Sequence, residues 1–472
     1  MGISKIGKKG VLKMKSLIMR GQQCLSTVSR NVLRVFILTV GILALTACAT
    51  TQSPSGPIEN GQREASRPPS PQIERPRPPA RQSDQFVQPR HFDGQAPVRV
   101  ALLLPFSANS QSARGIASAM FDAAQLAVFE AGDQNFLLMP KDTKGTAEGA
   151  RAAAQSALQD GAEMVLGPLF SESVEAAAAV TRAAQVPMVA FSSDLQARGQ
   201  GVYLLSFPPE LEVARITDFS VLKGFTRFGV LAPQNPYGDR VSGSFAEEVF
   251  VRGGVIVHEE RYQQEPDAML APAKRLAQYS KEIVPLELRH DYDPADPEAL
   301  ATGNDQGYTR GFQAVLMPEQ GTLLRALAPL LPYYNVDITS VKLLGVSAWN
   351  NPRLTREPAL RGGWFAAPDP AITQAFNARY SAAFGNEPPR LASLAYDATL
   401  LAARLATRPD PANRFIPQAI ADPNGYFGAD GLFRLNLDGS IERGLAILEI
   451  QPGGILTIDP APRSFADPAA SF

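Results

Sequence analysis

The feature that most constrains the fold is a regular alternation of short apolar runs and helix-forming segments between residues 137 and 194. Strands of this length separated by helices predict a parallel sheet with right-handed crossovers. In such a sheet, the loops that leave the carboxyl ends of the strands face one crevice, where ligands bind. The predicted binding surface therefore consists of three loops, at 142–145, 167–173 and 192–194.

The same alternation extends in both directions and divides the body of the chain into two similar halves. A first strand is predicted at 98–104, and Pro208-Pro209 marks the crossing into the second half. A polar stretch at 285–310 interrupts the period and is predicted to be a surface insertion, while Asp438-Gly439 predicts a hairpin turn. The predicted fold class is α/β, with two lobes that each contain a mostly parallel sheet flanked by helices. The predicted segments are 1–47 and 48–94 before the body, 95–207 with 364–440 as lobe 1, 208–363 with 441–460 as lobe 2, and 461–472 as a tail.

The charge distribution argues against nucleic-acid binding. The 472-residue chain has a net charge of −1, but residues 1–47 contain eight Lys and Arg residues and no acid. The remaining chain has 37 basic and 46 acidic residues, a net charge of −9. A nucleic-acid-binding body would normally have the opposite sign, so we expect no nucleic-acid partner.

The N-terminal region has the layout of a secretory signal. A basic segment precedes the apolar run 35–45, which is too short for a membrane-spanning helix, and Leu-Thr-Ala-Cys follows at 45–48. This tetrapeptide resembles the bacterial lipobox, which implies that Cys48 is lipidated and anchors the protein to a membrane. The alternative is an ordinary signal peptide with an incidental cysteine. The segment 48–94 is rich in Pro, Arg and Ser and is predicted to be an extended, disordered tether.

The body resembles the type 1 periplasmic binding proteins, of the Leu/Ile/Val-receptor kind. The resemblance depends on Asp142-Thr143 before an Ala-rich helix, and on the segments DGAEMVLGPLFSESV, VPMVAFSSD and APQNPYGDR. It implies a two-lobed fold that closes on a small, amino-acid-like ligand. The anchored and tethered architecture also resembles the LppC/LpoA-type lipoproteins, although their helical N-terminal domain is replaced here by the Pro-rich tether.

The second resemblance implies a specific function. A non-catalytic lipoprotein on the periplasmic face of the outer membrane would activate a penicillin-binding protein, a peptidoglycan synthase. The alternative is a solute-binding receptor that delivers amino acids to an ABC permease. Ala49 and the long tether favour the first interpretation, because a transport receptor needs neither outer-membrane sorting nor a long reach.

The resemblance also implies ligand-binding positions in the first lobe. Ser171 matches the helix N-terminus that holds a ligand carboxylate, but it is equally placed to act as a plain helix N-cap. Ser192 and Asp194 match the next binding loop. Asp194 would repel a carboxylate, and it would pair with an ammonium group or remain a solvated turn residue.

Further positions are implied in the second lobe. Tyr237 matches an aromatic residue that faces the cleft, or else it packs in the core. Ser347 lies where the family usually has an acid for the ligand ammonium, with Glu319 as a substitute acid or a solvated loop residue. Trp349 would stack on a ligand or plug the cleft.

Enzyme and cofactor signatures do not occur in the sequence. We find no P-loop, GxSxG elbow, HExxH or GxGxxG motif. Both cysteines, Cys24 and Cys48, precede the body, so the body has no cysteine metal site. We therefore expect a binding protein with no catalytic activity, no cofactor and no metal.

Overall fold

The computed structural model describes residues 97–132, 135–280 and 311–465. The signal at 1–47, the tether at 48–94 and the polar insertion at 285–310 lie outside the described residues, as does most of the tail at 461–472. Within the described ranges, no helix combines the length and the apolar character needed to cross a membrane.

The first lobe is built on a five-stranded parallel sheet with the strand order β2-β1-β3-β4-β5. Its strands are β1 (Val98–Leu104), β2 (Phe136–Asp142), β3 (Met164–Leu166), β4 (Met188–Ala190) and β5 (Val202–Leu204). The connecting helices are α1 (Gln111–Ala131), α2 (Ala147–Gln159) and α3 (Ser171–Ala183). The predicted alternation of strands and helices is therefore confirmed.

The Ala-rich composition of α2 and α3 determines how they pack on this sheet. Thr146 caps α2, because its hydroxyl accepts a hydrogen bond of 3.0 Å from the Gly149 N–H. The buried faces of both helices consist mainly of alanines, which pack in one cluster with Leu103 and Val165 of the sheet. Small side chains let the helices approach the sheet closely, and this holds the loops after β3 and β4 in place.

The second lobe is built on a seven-stranded sheet with the order β15-β14-β10-β9-β8-β6-β7. Its parallel strands are β6 (Arg227–Pro233), β7 (Val255–Tyr262), β8 (Ala314–Leu316), β9 (Lys342–Gly345) and β10 (Trp364–Ala367). Two antiparallel strands, β14 (Ala446–Gln451) and β15 (Gly454–Asp459), extend it. The helices of this lobe are α4 (Pro209–Leu222), α5 (Pro236–Val251), α6 (Pro266–Gln278), α7 (Gly321–Leu327) and α8 (Leu330–Tyr333).

The chain returns to the first lobe after β10. The returning helices are α9 (Pro370–Phe384), α10 (Ala392–Ala406) and α11 (Pro417–Ile420). They lead into an antiparallel sheet of β11 (Tyr426–Gly428), β12 (Gly431–Leu435) and β13 (Ile441–Arg443). Side chains of α10 and of this small sheet share one core with β1, β2 and α1. The predicted turn at Asp438-Gly439 joins β12 to β13, with Gly439 at a φ of 86°.

Two predicted lobe boundaries need correction. The predicted return to lobe 1 begins at residue 364, but β10 pairs with β9 and β14 inside the seven-stranded sheet. The return therefore follows this buried strand, at Pro368. Residue 441 is likewise predicted to begin the last segment of lobe 2, whereas β13 pairs with β12 in the small sheet of the first lobe. The three crossings between the lobes are thus at 206–208, 367–369 and 443–446.

Candidate ligand cleft

The loops at the carboxyl ends of the parallel strands bring the two lobes into contact. In the first lobe, the loop after β4 contains Ser193; in the second lobe, α5 follows β6 and contains Arg240. Nη2 of Arg240 donates a hydrogen bond of 2.7 Å to the Ser193 carbonyl oxygen. Arg240 also pairs with Glu210 in the first turn of α4. The cleft between these loops is therefore bridged by at least one direct contact.

In the first lobe, Ser192 and Asp194 stabilise their own loop. Ser192 is buried, and its Oγ accepts a hydrogen bond of 3.1 Å from the Asp194 N–H. A carboxylate oxygen of Asp194 accepts one of 3.0 Å from the Gln196 N–H and so caps the short 3-10 helix Leu195–Ala197. Both side chains therefore set the shape of the loop that also presents the Ser193 carbonyl group to Arg240.

Ser171 is the first residue of α3 rather than its N-cap. Phe170 occupies the cap position with an extended backbone (φ −92°, ψ 142°), and no side chain caps this helix. The N-cap alternative for Ser171 is therefore wrong, because helical dihedral angles begin at Ser171 itself. The first N–H groups of α3 remain available for hydrogen bonds at this end of the helix.

In the second lobe, Glu319 is the centre of a buried hydrogen-bond network. Its side chain is 3% exposed, and Oε2 accepts hydrogen bonds of 2.9 Å from the Tyr262 hydroxyl and 3.1 Å from the Gln264 amide. The Trp349 indole N–H donates to the Glu319 carbonyl oxygen at 3.1 Å. Glu319 is thus a structural acid with several partners, and not the solvated loop residue that we considered as its alternative role.

Trp349 is fully buried in the core of the second lobe. Its ring lies against Gly345 so closely that a Cβ atom on that glycine would be 2.1 Å from the indole. Trp349 therefore packs in the core of the second lobe, and it neither stacks on an exposed ligand surface nor plugs the cleft, the two roles predicted for it. A ligand could reach the indole only after the core had opened.

Tyr237 remains 41% exposed at the start of α5. Partial burial, followed by the charges of Glu212 and Glu319, raises the pKa of its hydroxyl group. Burial, together with the charge of Glu319, also raises the pKa of the Tyr262 hydroxyl. Both phenols are therefore neutral donors near physiological pH, and Tyr237 is the one that a ligand can reach.

Ser347 is paired with an acid that the sequence analysis missed. Its N–H and hydroxyl groups donate hydrogen bonds of 2.8 Å and 2.5 Å to the two carboxylate oxygens of Glu212. Glu212 lies in the first turn of α4, directly after the first crossing. Burial raises the pKa of this carboxyl group, while the hydrogen bonds from Ser347 act in the opposite direction. An acid does occupy this part of the cleft, but a distant segment supplies it.

A cavity of about 290 Å³ lies beside the second crossing, and we call it the crossing cavity. Both lobes line it: Ser347 and Asn350 from the second lobe, and Thr373, Phe376, Asn377, Pro388, Pro389, Arg390, Ser393 and Asp430 from the first, with the crossing residues Ala367 and Pro368 between them. Nη1 of Arg390 donates a hydrogen bond of 2.8 Å to the buried carboxylate of Asp430. The cavity thus contains a paired cation and anion.

Next to this cavity, a charge cluster that contains the buried acids Asp397 and Asp430 contacts the first and third crossings. The guanidinium groups of Arg390 and Arg443 lie 3.7 Å and 4.4 Å from the centre of the Phe207 ring, in the first crossing. Nε of Arg443 donates 2.8 Å to the Ser206 carbonyl oxygen. Burial, then the charge of Asp430, raises the pKa of the Asp397 carboxyl group to about 7. Within the described ranges, no three His, Cys, Asp or Glu side chains could hold a metal ion together.

Comparison with known protein families identifies the family to which this chain belongs. Residues 97–453 match the sequence model of a periplasmic binding protein family. The chain belongs to that family. Its fold and the predicted α/β class are thereby confirmed, and family membership indicates a periplasmic location. No curated protein matches this periplasmic binding protein in sequence.

Solved structures share its fold. A putative branched-chain amino acid ABC transporter from Rhodospirillum rubrum has a TM-score of 0.61 at 16% identity, over 77% of this chain and 100% of that one. An ABC transporter substrate-binding protein from Sphaerobacter thermophilus has a TM-score of 0.57 at 17% identity, over 78% and 98%. A solute-binding protein from R. palustris in complex with benzoate has a TM-score of 0.51 at 16% identity, over 79% and 99%.

The structure of this periplasmic binding protein gathers part of the predicted site and adds to it. Glu319 and Trp349 are in contact. Tyr237 lies close enough to Glu319, and to the Glu212 carboxylate that pairs with Ser347, for both charges to raise the pKa of its hydroxyl group. Arg390, Asp430, Arg443 and Phe207 were missed in the sequence. Phe207 and Arg443 lie at lobe crossings, next to Pro208 and Gly444, whereas Arg390 and Asp430 lie in loops within the first lobe and carry no local signal in the sequence.

Proposed function

We propose that this periplasmic binding protein is a solute receptor, which holds a small molecule between its lobes and delivers it to an ABC permease. The observation that carries the proposal is the crossing cavity, because residues of both lobes line it. A molecule that contacts both lobes stabilises their closed arrangement, and a permease can recognise that arrangement. Binding alone accounts for this role, so the proposal includes no catalysis and no cofactor.

The comparisons support the receptor more than the synthase activator that the N-terminal sequence favours. The structures with the same fold include an ABC transporter substrate-binding protein and a solute-binding protein that holds benzoate. At identities of 16–17% these similarities establish the fold and leave the ligand open. The transport role for this chain is therefore a proposal that depends on its own cleft.

A ligand screen combined with scattering tests the receptor. The lipidated full chain in detergent is screened by thermal shift against amino acids, small carboxylates, sugars and amines. A ligand at 100 times its dissociation constant adds about 2.7 kcal/mol to the free energy of unfolding, which is easily detected. We expect one class of ligand to raise the melting temperature and to reduce the radius of gyration. Stabilisation without any compaction would contradict a receptor that signals by closure.

The second candidate function is activation of a penicillin-binding protein, and the Pro-rich segment at 48–94 favours it. At roughly 3 Å per residue, such a tether reaches on the order of 100 Å, enough for a domain to leave one membrane and contact a partner near another. A pull-down with periplasmic domains of peptidoglycan synthases tests it. Capture of a synthase by a chain that no solute stabilises would replace the receptor with the activator.

A further inference from the structure

The charge cluster beside the crossings contains buried groups of opposite charge that are not paired with each other. Nη1 and Nη2 of Arg443, Oδ2 of Asp397 and Oδ2 of Asp430 are all buried, and none of these atoms has a hydrogen-bond partner among the described residues. Burial lowers the pKa of the Arg443 guanidinium, while the charges of Asp430 and Asp397 act in the opposite direction. The three side chains therefore interact electrostatically without direct contact. Buried charges left unpaired cost free energy, so a closer pairing would stabilise the protein.

Arg443 instead connects the first crossing to the third. It is the last residue of β13, at the start of the third crossing. Its Nε donates a hydrogen bond of 2.8 Å to the Ser206 carbonyl oxygen, and its guanidinium lies 4.4 Å from the centre of the Phe207 ring, both in the first crossing. Movement of one lobe against the other changes the backbone of such connecting segments. The contact between Arg443 and Ser206 therefore depends on the arrangement of the lobes.

The two acids are held in place within the first lobe. Oδ1 of Asp397, in α10, accepts a hydrogen bond of 2.6 Å from the Ala429 N–H. Oδ1 of Asp430 accepts one of 2.8 Å from Nη1 of Arg390. Both carboxylates thus have one oxygen fixed and one oxygen unpaired. Arg443 has the longer side chain and lies at a crossing, so it is the member of the cluster that can move.

We propose that Arg443 is a two-position switch that helps to set the equilibrium between two arrangements of the lobes. In the arrangement described here, Arg443 holds Ser206, and Arg240 of the second lobe donates to Ser193 of the first. In the second arrangement, Arg443 leaves Ser206 and pairs with the unpaired oxygens of Asp397 and Asp430. The new ion pairs stabilise the second arrangement, whereas the contact across the cleft stabilises the first. This inference goes beyond the proposed function, because it applies whether the lobes respond to a solute or to a protein partner.

Distance measurements between two spin labels test the switch in the full chain. The labels are attached at Glu175→Cys in α3 of the first lobe and Glu247→Cys in α5 of the second, both exposed positions. Cys24 and Cys48, the two cysteines of the sequence, are replaced by serine so that only these two positions are labelled. Arg240→Ala removes the contact across the cleft, and we expect it to populate a second distance beside that of the described arrangement.

Two further substitutions, each made in the Arg240→Ala chain, should change this population in opposite directions. Asp397→Asn removes a charged partner that Arg443 gains in the second arrangement, so the second distance should become about fivefold rarer or more. Phe207→Leu removes the ring that holds the guanidinium beside Ser206, so the second distance should become about threefold more frequent. Loss of a merely structural contact gives no reason for such opposite shifts.

Asp218→Asn is the matched control. Asp218 is also a buried acid, but it pairs with Arg252 inside the second lobe, 3.3 Å away and apart from the crossings. It should leave the distribution of distances unchanged. Urea unfolding of each variant verifies that it is folded.

The outcomes decide the switch separately from the receptor function, because the solute screen uses none of these variants. Shifts of Asp397→Asn and Phe207→Leu in the same direction would overturn the proposal, as would a shift of equal size in Asp218→Asn. A single distance in every variant, Arg240→Ala included, would show that the second arrangement does not form and would also overturn it. If Asp397→Asn does not fold, Phe207→Leu decides alone, and a second distance that it leaves unchanged or makes rarer contradicts the switch.

Discussion

Arg240 in the second lobe donates a hydrogen bond of 2.7 Å to the main-chain carbonyl oxygen of Ser193 in the first lobe. The same guanidinium group pairs with Glu210, which fixes the orientation of the donor. Ser193 is held in turn by a loop that Ser192 and Asp194 shape through their hydrogen bonds. Arg240 thus connects two segments that different lobes position, at the point where the cleft would open.

Removal of this contact should favour an open arrangement of the lobes. Arg240→Ala eliminates the bond to Ser193 and the pair with Glu210, at a cost of about 1 kcal/mol because both side chains of the pair are partly exposed. We expect a larger radius of gyration by small-angle X-ray scattering. The matched control is Arg182→Ala, which removes an arginine that donates 3.1 Å to the Gln200 carbonyl oxygen within the first lobe. Equal scattering from both variants would show that Arg240 does not hold the lobes together.

The buried charge cluster predicts a dependence of stability on pH. Burial, together with the charge of Asp430, raises the pKa of Asp397 from 3.8 to about 7 in the folded protein. Its protonated form is therefore favoured by folding. This contribution to stability is fully present below pH 4, decreases as the pH rises to 7 and is constant above it. The difference amounts to about 4 kcal/mol. Urea unfolding between pH 4 and pH 8 measures it.

Asp397→Asn provides the control for that titration. The amide oxygen of the variant can still accept the hydrogen bond that Asp397 receives from the Ala429 N–H at 2.6 Å. Because the variant has no carboxyl group to titrate, we expect its stability to change less between pH 4 and pH 7 and to exceed that of the wild type at pH 8. An unchanged slope would assign the pH dependence to other groups.

Two glycines should respond in opposite directions to the same substitution. A Cβ atom at Gly345 would lie 2.1 Å from the Trp349 ring, which the surrounding core prevents from moving away. Gly345→Ala should therefore destabilise the second lobe by about 1–3 kcal/mol or more. Gly243 lies on the exposed face of α5, where a Cβ atom would meet nothing within 4 Å. Gly243→Ala should raise stability by about 0.5–1 kcal/mol. Urea denaturation of both variants measures the contrast.

Cys48 predicts a lipid anchor on the periplasmic face of the outer membrane. Cys48→Ser should abolish the incorporation of labelled palmitate and transfer the protein from the membrane fraction to the soluble periplasmic fraction. Cys24→Ser is the matched control, because Cys24 lies within the predicted signal and should leave labelling unchanged. Labelled lipid on the Cys48→Ser variant would contradict the lipobox interpretation.

The arrangement of strands and helices could largely be predicted from local pattern. The helix predicted at 146–159 is observed at Ala147–Gln159. The turn predicted from the Asp438-Gly439 dipeptide is observed at these two residues. The sheet to which β10 belongs could not be predicted from local pattern. Its sequence, WFAA, is a short apolar run like those of the other strands, and its neighbours β9 and β14 were identified only by pairing in three dimensions.

The site was less predictable than the fold for a related reason. Ser347 was predicted at a position that needs an acid, but Glu212 is 135 residues away in the chain. Only the folded chain places α4 beside the loop after β9. Likewise, Arg390 and Asp430 become partners across 40 residues. Local sequence reveals which loops reach the cleft, whereas the partners within the cleft depend on contacts between distant segments.

The route of the chain between the lobes has a consequence for biogenesis. All strands of the five-stranded sheet precede residue 205, whereas the seven-stranded sheet requires β14 and β15, which end at Asp459. A polypeptide that emerges from its N-terminus forward must expose the unpaired edge of β10 until almost its whole length is available. Such edges promote aggregation of nascent chains.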